Sequence, residues 1–537
     1  MSESTAVHHQ SHHHPLHRSR TPRWTSRATS FGVFAVLALG AVYAATALIS
    51  DLATMPSTTA ILPFVLLGVA LVIALGFEFV NGFHDTANAV ATVIYTHSLP
   101  PQVAVVWSGI WNLLGVLTSA GLVAFTIVSL LPVELILQVG SSAGFAMVFA
   151  LLIAAIIWNV GTWYFGIPNS SSHALIGSII GVGLMNQLMG GPNGTSGVDW
   201  GQAVGVFKSL GFSPIVGFVL SALLLLAAKV ALPFPKLYRP PEGAAPPPHW
   251  IRGLLILTCT GVSFFHGSND GQKGMGLIML ILIGTVPTAY ALNHAIGADH
   301  VPVFEQASMR AEQALAKHGG DGTSADPRKD VTEAIRDRTV TPQSLPALRM
   351  LIADIAQQIN DYGALARVPA EQTRNVRNDM YLVSEMLSRI FKSGEPQFAP
   401  AELADLKTYK SEVDNATKFI PTWVKVAVAI ALGMGTMVGW KRIVVTVGEK
   451  IGKTHLTYGQ GAAAEIVAMA TIGAADVWGW PVSTTHVLSS GVAGTMAANR
   501  SGLQWSTIMN LVMAWLLTLP AAIMLAAGLF WIFRNTF

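Results

Sequence analysis

Charged residues and cysteines are both scarce in this 537-residue chain, and each scarcity excludes a class of protein. Asp, Glu, Lys and Arg make up only 11% of the residues, whereas 52% are hydrophobic. A chain this apolar has lipid as its main solvent. The single cysteine, Cys259, excludes an internal disulfide and a CxxC metal site. A net charge of only +3 gives no reason to expect a nucleic-acid partner. The sequence therefore predicts an all-α polytopic membrane protein.

Apolar segments of roughly membrane-spanning length recur along the chain. They fall at about 31–50, 61–80, 103–131, 144–165, 173–189, 212–232, 251–285, 422–440, 460–478, 484–498 and 507–533. Gly82, Pro168, Gly267 and Pro481 interrupt them, a pattern that favours broken helices and re-entrant hairpins. We expect about ten to twelve membrane segments.

A polar motif occurs twice in these apolar surroundings. FVNGFHDTANAV at 79–90 aligns with FFHGSNDGQKGM at 264–275, which places Asp85 opposite Asp270. A carboxylate near the bilayer centre costs on the order of 2.5–3.5 kcal/mol, so an intramembrane Asp predicts a function. The glycine in each copy permits an unwound turn and close backbone approach. We expect each Asp to lie near broken backbone.

A second motif also occurs twice, and in the same order. GIPNSSSHALIG at 166–177 aligns with GWPVSTTHVLSS at 479–490, so that both copies carry a proline, three hydroxyl residues and a histidine. The proline favours an extended approach, and the hydroxyl residues suit the N-cap and first turn of a following helix. A helix N-terminus offers free N–H donors and a partial positive charge. Two such termini predict an anion site.

Short basic loops predict the orientation of the chain, because positive loops stay in the cytoplasm. The basic residues are Arg18, Arg20, Arg23 and Arg27, then Lys236, Arg239 and Arg252, and finally Lys441, Arg442, Lys450 and Lys453. All three groups fall on one side if the later paired segments are hairpins. The N-terminus is then cytoplasmic, and the two halves form an inverted-topology repeat. Such repeats build secondary transporters whose substrate lies near mid-membrane between the halves.

Asp85 and Asp270 carry the wrong charge for a bare anion site. A carboxylate can, however, accept a hydrogen bond from a protonated oxyanion, take up a proton, or ligate a cation that travels with the anion. Phosphate at neutral pH still has a proton to donate, whereas sulfate has none. A site built around a substrate donor rejects analogues that lack it. The pattern therefore favours phosphate.

Four further residues complete the candidate site. Lys273 has no basic counterpart in the first copy, and would contact phosphate or neutralise Asp270. Glu465 is a further membrane carboxylate, either a coupling-ion ligand or a residue facing a cavity or interface. His173 and His486 are expected to orient the hairpins by hydrogen bonding rather than to bind substrate.

Two other classes of function are weighed against transport. A membrane enzyme acting on phosphate esters would need His and Asp together at a membrane surface, whereas these motifs lie at mid-span in symmetric copies. A receptor or scaffold that merely kept a transporter fold is disfavoured because both motif pairs are intact. We therefore expect no enzymatic activity.

The motifs resemble those of the Pit family of inorganic phosphate transporters. The resemblance runs through GFEFVNGFHDTANAVATVIYT, GTWYFGIPNSSSHALIG, FFHGSNDGQKGMGLIMLILIG and WPVSTTHVLSSGVAGTM, and is strongest to the bacterial low-affinity branch. It covers the chain from about residue 61 onward. It implies a homodimeric inverted-repeat transporter of the bacterial inner membrane, without a permanently bound cofactor. Symport with protons is implied, with phosphate taken as a neutral complex with a divalent metal such as Mg²⁺ or Ca²⁺.

The resemblance also implies roles for individual residues. Phosphate contacts carry over to Asn81, Asp85, Asn88, Ser170, Ser171, Ser172, Asn269, Asp270, Ser483, Thr484 and Thr485, to which we add Lys273. Asp85, Asp270 and Glu465 are the candidate ligands of a coupling ion or metal. Glu465 matches a carboxylate of sodium-coupled animal members, which keeps Na⁺ as the alternative coupling ion.

These inferences divide the chain into seven regions. We expect a disordered His- and Arg-rich cytoplasmic tail at 1–30, an additional transmembrane helix and loop at 31–60, the first transporter repeat at 61–232, a Pro-rich cytoplasmic linker at 233–250, the start of the second repeat at 251–292, a soluble helical insert at 293–420, on the extracytoplasmic side, and the remainder of the second repeat at 421–537.

Overall fold

The computed structural model describes the chain apart from a few segments. These are residues 1–22, 54–60, 86, 132–134, 137–140, 191–197, 199, 242, 244, 342 and 537. Most of the tail predicted at 1–30 therefore lies outside the described residues. Within the described ranges every regular element is a helix, and the only strand-like pairing is a single bridge between Gly452 and Leu503.

Among the described residues, ten α-helices of four residues or more precede the predicted insert. They are α1 (Arg23–Leu52), α2 (Leu62–Asp85), α3 (Ala87–Tyr95), α4 (Pro101–Thr118), α5 (Leu122–Val128), α6 (Ser142–Tyr164), α7 (Ser171–Gly190), α8 (Trp200–Ala231), α9 (His249–Thr285) and α10 (Pro287–Tyr290). Ten more follow: α11 (Val301–Leu315), α12 (Pro327–Asp337), α13 (Ser344–Tyr362), α14 (Ala370–Ser393), α15 (Pro400–Thr417), α16 (Thr422–Thr436), α17 (Lys441–Val445), α18 (Tyr458–Val477), α19 (Thr484–Ala498) and α20 (Trp505–Thr536).

Seven spans among the described residues are long and apolar enough to cross a membrane. They are Phe31–Leu52, Leu62–Tyr95, Pro101–Thr118, Ser142–Tyr164, Ser171–Gly190, Trp200–Ala231 and Trp505–Thr536. Helices α15 and α16 meet at a 72° bend. If this bent pair is counted as one span, the number of candidate spans rises to eight. Other predicted segments fall in helices outside the seven spans. Segment 251–285 lies in α9, which carries the polar motif, and segments 422–440 and 484–498 correspond to α16 and α19, which have only 15 residues each. The predicted fold class, an all-helical multi-span membrane protein, is confirmed.

Helix α9 corrects one expectation about the first motif. It runs from His249 to Thr285 with Gly267 and Asp270 inside it, so the unwound turn predicted at Gly267 is wrong. The unwound turn expected at Gly82 is absent too, because α2 continues through Gly82 to Asp85, and α3 begins at Ala87. The glycine of the second copy is used for close packing within a continuous helix.

Four glycines form two equivalent pairs of close helix contacts. A Cβ on any of them would lie 2.0–2.2 Å from a facing backbone oxygen: Gly82 against Leu432, Gly435 against Phe79, Gly267 against Asn112, and Gly115 against Phe264. No side chain fits in that space, so α2 approaches α16 as closely as α9 approaches α4. Because Phe79 aligns with Phe264 and Gly82 with Gly267, the two copies pack in the same way.

The helices of the second motif pack across the repeat. Helix α7 packs on α20, and α19 packs on α8. Both partner helices have 32 residues and an internal proline, Pro214 in α8 and Pro520 in α20. Each hydroxyl-rich helix is therefore paired with the long helix that follows the other copy.

Residues of the predicted insert form helices α11–α15 around a core of their own. The two apolar stripes seen in the sequence are buried there: Leu348, Leu351, Ile352, Ile355 and Ile359 in α13, and Leu382, Met386, Leu387 and Ile390 in α14. The Asn293 amide donates to the Ala416 carbonyl at 2.8 Å, which brings the two ends of the insert together. This geometry leaves the membrane helices on either side of the insert adjacent.

Candidate functional site

The two hydroxyl-rich motifs begin helices, as their sequence predicts. Ser170 precedes α7, and its Oγ accepts a hydrogen bond from the His173 amide at 3.2 Å. Ser483 caps α19 in the same way and accepts from the His486 amide, also at 3.2 Å. The expected N-caps are therefore confirmed, and the two copies share one local geometry.

Asp85 is joined to the hydroxyl-rich motif of the opposite copy. Its carboxylate is 2% exposed and accepts a hydrogen bond from Thr485 Oγ1, which lies 2.7 Å from Asp85 Oδ1. His84 Nδ1 lies 3.1 Å from the same oxygen, and His84 Nε2 lies 3.2 Å from Thr162 Oγ1. The end of α2 is thus tied both to α19 and to α6.

Asp270 has a charged partner that Asp85 lacks. Lys273 Nζ donates to Asp270 Oδ1 at 2.6 Å and to Ser172 Oγ at 2.5 Å. Ser172 in turn donates to the Val482 carbonyl at 3.0 Å, which joins the two hydroxyl-rich motifs to each other. Of the two roles considered for Lys273, neutralisation of Asp270 is the one that these contacts support.

His266 lies between the two carboxylates, and sequence reasoning assigned it no role. Its Nε2 is 3.8 Å from Asp85 Oδ2 and 3.6 Å from Asp270 Oδ2, while its Nδ1 lies 2.6 Å from Asn112 Oδ1. One ligand atom from each of Asp85, His266 and Asp270 falls within 4.8 Å of the others. The repeat alignment offered a signal, because it sets His266 opposite Asn81, one helical turn before each Asp.

Several buried polar atoms around this group have no hydrogen-bond partner among the described residues. They are both amide atoms of Asn81, Ser171 Oγ, Asn269 Oδ1, Asp270 Oδ2 and His266 Nε2. The other amide atom of Asn269 does have a partner, since Nδ2 donates to the Trp480 carbonyl at 3.2 Å. An unpaired buried donor or acceptor costs about 1–3 kcal/mol, so such groups are rarely left together without a reason. Their concentration at the repeat interface indicates a ligand site.

Glu465 is not part of this cluster. It accepts a hydrogen bond from Thr258, which lies on α9 twelve residues before Asp270. At the rise of an α-helix that separation is about 18 Å along the axis. Glu465 is fully buried, and its other carboxylate oxygen has no partner among the described residues.

The remaining predicted residues lie around the cluster. Thr484 is buried in the first turn of α19. The rings of His173 and His486 lie 4.5 Å apart, and His486 also stacks on Trp515 at 4.3 Å. Hydrogen bonding was expected of both histidines: His173 Nδ1 does lie 2.9 Å from Ser170 Oγ, whereas His486 Nε2 has no partner among the described residues and its ring makes only the contacts above. Asn88 belongs to α3, but its side chain lies outside the described residues.

The arrangement can hold opposite charges side by side. Asp85, Asp270 and His266 provide oxygen and nitrogen ligands for a cation. Lys273, Ser171 and the start of α7 provide donors for an anion. Every member named here is at most 2% exposed, so bound ions would be cut off from bulk water. A site of this kind suits a cation and an anion that move together.

Comparisons with known proteins agree with the motifs. The model of a family described as "Phosphate transporter family" matches residues 81–526. The chain is 42% identical over 486 residues to the low-affinity inorganic phosphate transporter PitA of Escherichia coli K12, which covers 87% of this chain and 96% of that protein. It is 40% identical over 495 residues to PitB of the same organism, with the same coverage.

More distant proteins match over a similar share of the chain. A probable low-affinity inorganic phosphate transporter of Bacillus subtilis is 28% identical over 468 residues, covering 87% of this chain and 97% of that protein. A solved structure described as "The sodium-dependent phosphate transporter" covers 88% of this chain and 100% of its own, with a TM-score of 0.48 and 18% identity. By its family match and its bacterial relatives, this chain belongs to the phosphate transporter family.

Proposed function

We propose that this protein imports inorganic phosphate across the bacterial inner membrane with low affinity, by proton-coupled symport, with phosphate entering as a complex with a divalent metal. The relatives that cover most of the chain are named low-affinity phosphate transporters. The observation that carries the proposal is the buried cluster in which Asp85, His266 and Asp270 lie beside Lys273 and Ser171.

The metal complex has a physical reason. A bare phosphate anion would lose its bound water on entering a buried site. The free-energy cost of burying a charge is large unless that charge is paired. Mg²⁺ or Ca²⁺ would cancel the anion's charge and would find hard oxygen ligands at Asp85 and Asp270. With a metal bound at the carboxylates, Lys273 would be released from Asp270 and would contact phosphate oxygens together with the serine hydroxyls.

Movement of the substrate requires the two copies to separate on one side at a time. The Thr485–Asp85 and Lys273–Ser172 hydrogen bonds both join one copy to the other. We infer that these contacts open and re-form as the repeats rearrange around the central site. A substrate that replaces their partners would lower the free-energy barrier to that rearrangement.

Uptake by the purified full chain in proteoliposomes tests the proposal. We expect phosphate uptake that rises with an inward proton gradient, requires Mg²⁺ or Ca²⁺, and does not respond to a sodium gradient at fixed pH. Sodium-driven uptake that ignores the pH gradient would replace protons by Na⁺ as the coupling ion. Uptake that is unchanged by metal chelation would remove the metal complex and leave free phosphate as the substrate.

The hydrolase alternative has a separate readout. The relatives are named as transporters, and the paired carboxylates are buried between the two copies rather than at a membrane surface. Release of phosphate from a lipid ester by the same purified protein would revive the enzyme. We expect the wild type to release no more phosphate than an Asp85→Asn variant does.

A further inference from the structure

A basic, aromatic cavity lies at the end of α6, next to α17. Its volume is about 650 Å³, and its wall includes Lys441, Arg442 and Lys450. At its rim, Tyr164 is 60% exposed and Phe165 is 74% exposed. Helix α6 is one of the candidate membrane spans, and exposed aromatic residues at the end of a span mark the membrane–water interface. The cavity therefore opens at the depth of lipid headgroups.

Two aromatic rings and a backbone carbonyl fix the position of the Arg442 side chain. Its guanidinium lies 5.0 Å from the ring centroids of both Trp163 and Tyr164, and Nη1 donates to the Tyr164 carbonyl. A guanidinium has five N–H donors, so most remain available. Lys441 and Lys450 are exposed, and neither has an ion-pair partner among the described residues. Three cations thus line one cavity, and none of the described residues of its wall is a carboxylate.

We propose that this cavity binds the phosphate group of an anionic membrane phospholipid, such as phosphatidylglycerol. Arg and Lys side chains next to exposed aromatic rings at a span end suit an anionic headgroup. The acyl chains would lie along α6, where Ile157 and Val160 are exposed to the surroundings. The orientation predicted from the basic loops places the cavity in the cytoplasmic leaflet.

A lipid bound here would stabilise the segments that lead to the candidate substrate site. Gly166, the first residue of the first hydroxyl-rich motif, forms part of the cavity wall, and its carbonyl accepts a hydrogen bond from Thr446 Oγ1 at 2.7 Å. Trp163 Nε1 donates to the Gly439 carbonyl at 2.8 Å on the same wall. A headgroup on Arg442 and Lys450 would therefore join two segments that already meet beside the motif.

Native mass spectrometry of the detergent-solubilised full chain tests the site. Phosphatidylglycerol, phosphatidylcholine and inorganic phosphate are titrated separately onto the wild type and onto a Lys441→Gln/Lys450→Gln double variant. Each lysine near an anionic headgroup contributes about 1 kcal/mol, which is about fivefold in affinity. We therefore expect the double variant to bind phosphatidylglycerol roughly 25-fold more weakly.

A Lys236→Gln/Arg239→Gln variant is the matched control, because it removes two exposed cations from the linker outside the cavity. It should bind phosphatidylglycerol as the wild type does, and thermal melts should show all variants folded. Equal losses in the two double variants, or binding of phosphatidylcholine as tight as that of phosphatidylglycerol, would overturn the site. Inorganic phosphate binding that the cavity variant loses would identify the cavity as a substrate vestibule and also overturn the lipid assignment.

Discussion

Asp85 and Asp270 occupy aligned positions in the two copies of the carboxylate motif, yet their partners differ. Asp85 accepts a hydrogen bond from the neutral Thr485 hydroxyl and lies beside His84, whereas Asp270 pairs with the cation Lys273. The packing around the two copies is the same, down to the glycine contacts of Gly82 and Gly267. Symmetry therefore sets where the carboxylates lie, whereas the partners around the two carboxylates differ in charge.

This difference assigns distinct tasks to the two copies. Asp270 is neutralised by Lys273, so the second copy carries no net charge at this pair, and the same ammonium group also donates to Ser172 Oγ. The first copy has a carboxylate whose second oxygen faces His266 at 3.8 Å. We expect Asp85 to contribute more than Asp270 to cation binding, and Lys273 to be the part of the second copy that contacts the anion.

The largest expected effect comes from removing either carboxylate. Asp85→Asn and Asp270→Asn should each reduce phosphate uptake to background. Asp270→Asn should also destabilise the fold by about 3–5 kcal/mol, because it leaves Lys273 buried without its partner. Asp85→Asn should cost only about 1 kcal/mol, since the Thr485 hydroxyl can still donate to an amide oxygen. Uptake assays and thermal melts of solubilised protein measure the two effects.

Asp337→Asn is the matched control for these variants, because Asp337 is an exposed carboxylate of the insert. It should leave uptake and stability unchanged. Normal transport by either site variant would overturn the site assignment. Equal losses of stability in the two would contradict the difference in charge between the copies.

Lys273→Asn gives the second copy the residue found at the aligned position of the first. It should destabilise by about 3–5 kcal/mol, because it leaves Asp270 buried without its charged partner. Uptake should fall about tenfold or more. Combining it with Asp270→Asn should recover most of the lost stability but no uptake, because both buried charges are then gone. A double variant as unstable as the sum of the two single variants would show that the pair is not coupled.

Glycine substitutions test the shared packing. Gly82→Ala and Gly267→Ala should each destabilise by about 1–3 kcal/mol, since each added Cβ must push two helices apart. The two losses should agree to within about 1 kcal/mol if the copies pack alike. Gly76→Ala in α2 is the control, as nothing lies within 4 Å of its added Cβ. Denaturation curves that separate Gly82→Ala widely from Gly267→Ala would break the symmetry.

The smallest expected effect concerns the two N-caps. Ser170→Ala and Ser483→Ala should each cost about 1 kcal/mol, because each leaves a helix amide without its acceptor. Ser→Thr at either position keeps the hydroxyl and should retain most of the stability. Thermal melts measure both. A cap effect in only one copy would limit the symmetry to helix packing and exclude the hydroxyl-rich motif from it.

The sequence alone was enough to identify both carboxylates and both N-caps, because each is encoded within a few neighbouring residues. His266 was missed because its position between the two carboxylates depends on α2 and α9 meeting side by side, and its alignment with Asn81 does not by itself show that contact. The unwound turn at Gly267 was wrong for a related reason. Glycine permits either unusual backbone angles or close helix contact, and only the position of Asn112 on α4 shows which is used.

The cross-pairing of α7 with α20 has a consequence for how the chain is made. Helix α7 ends at Gly190, and its partner begins at Trp505, more than 300 residues later. During synthesis, the face of α7 that packs on α20 has no partner until nearly the whole chain has been made. Neither half can complete its packing by itself. Assembly of the two halves is therefore finished only after α20 has been inserted. A chain that stops before Trp505 should be recognised by membrane proteases as incomplete.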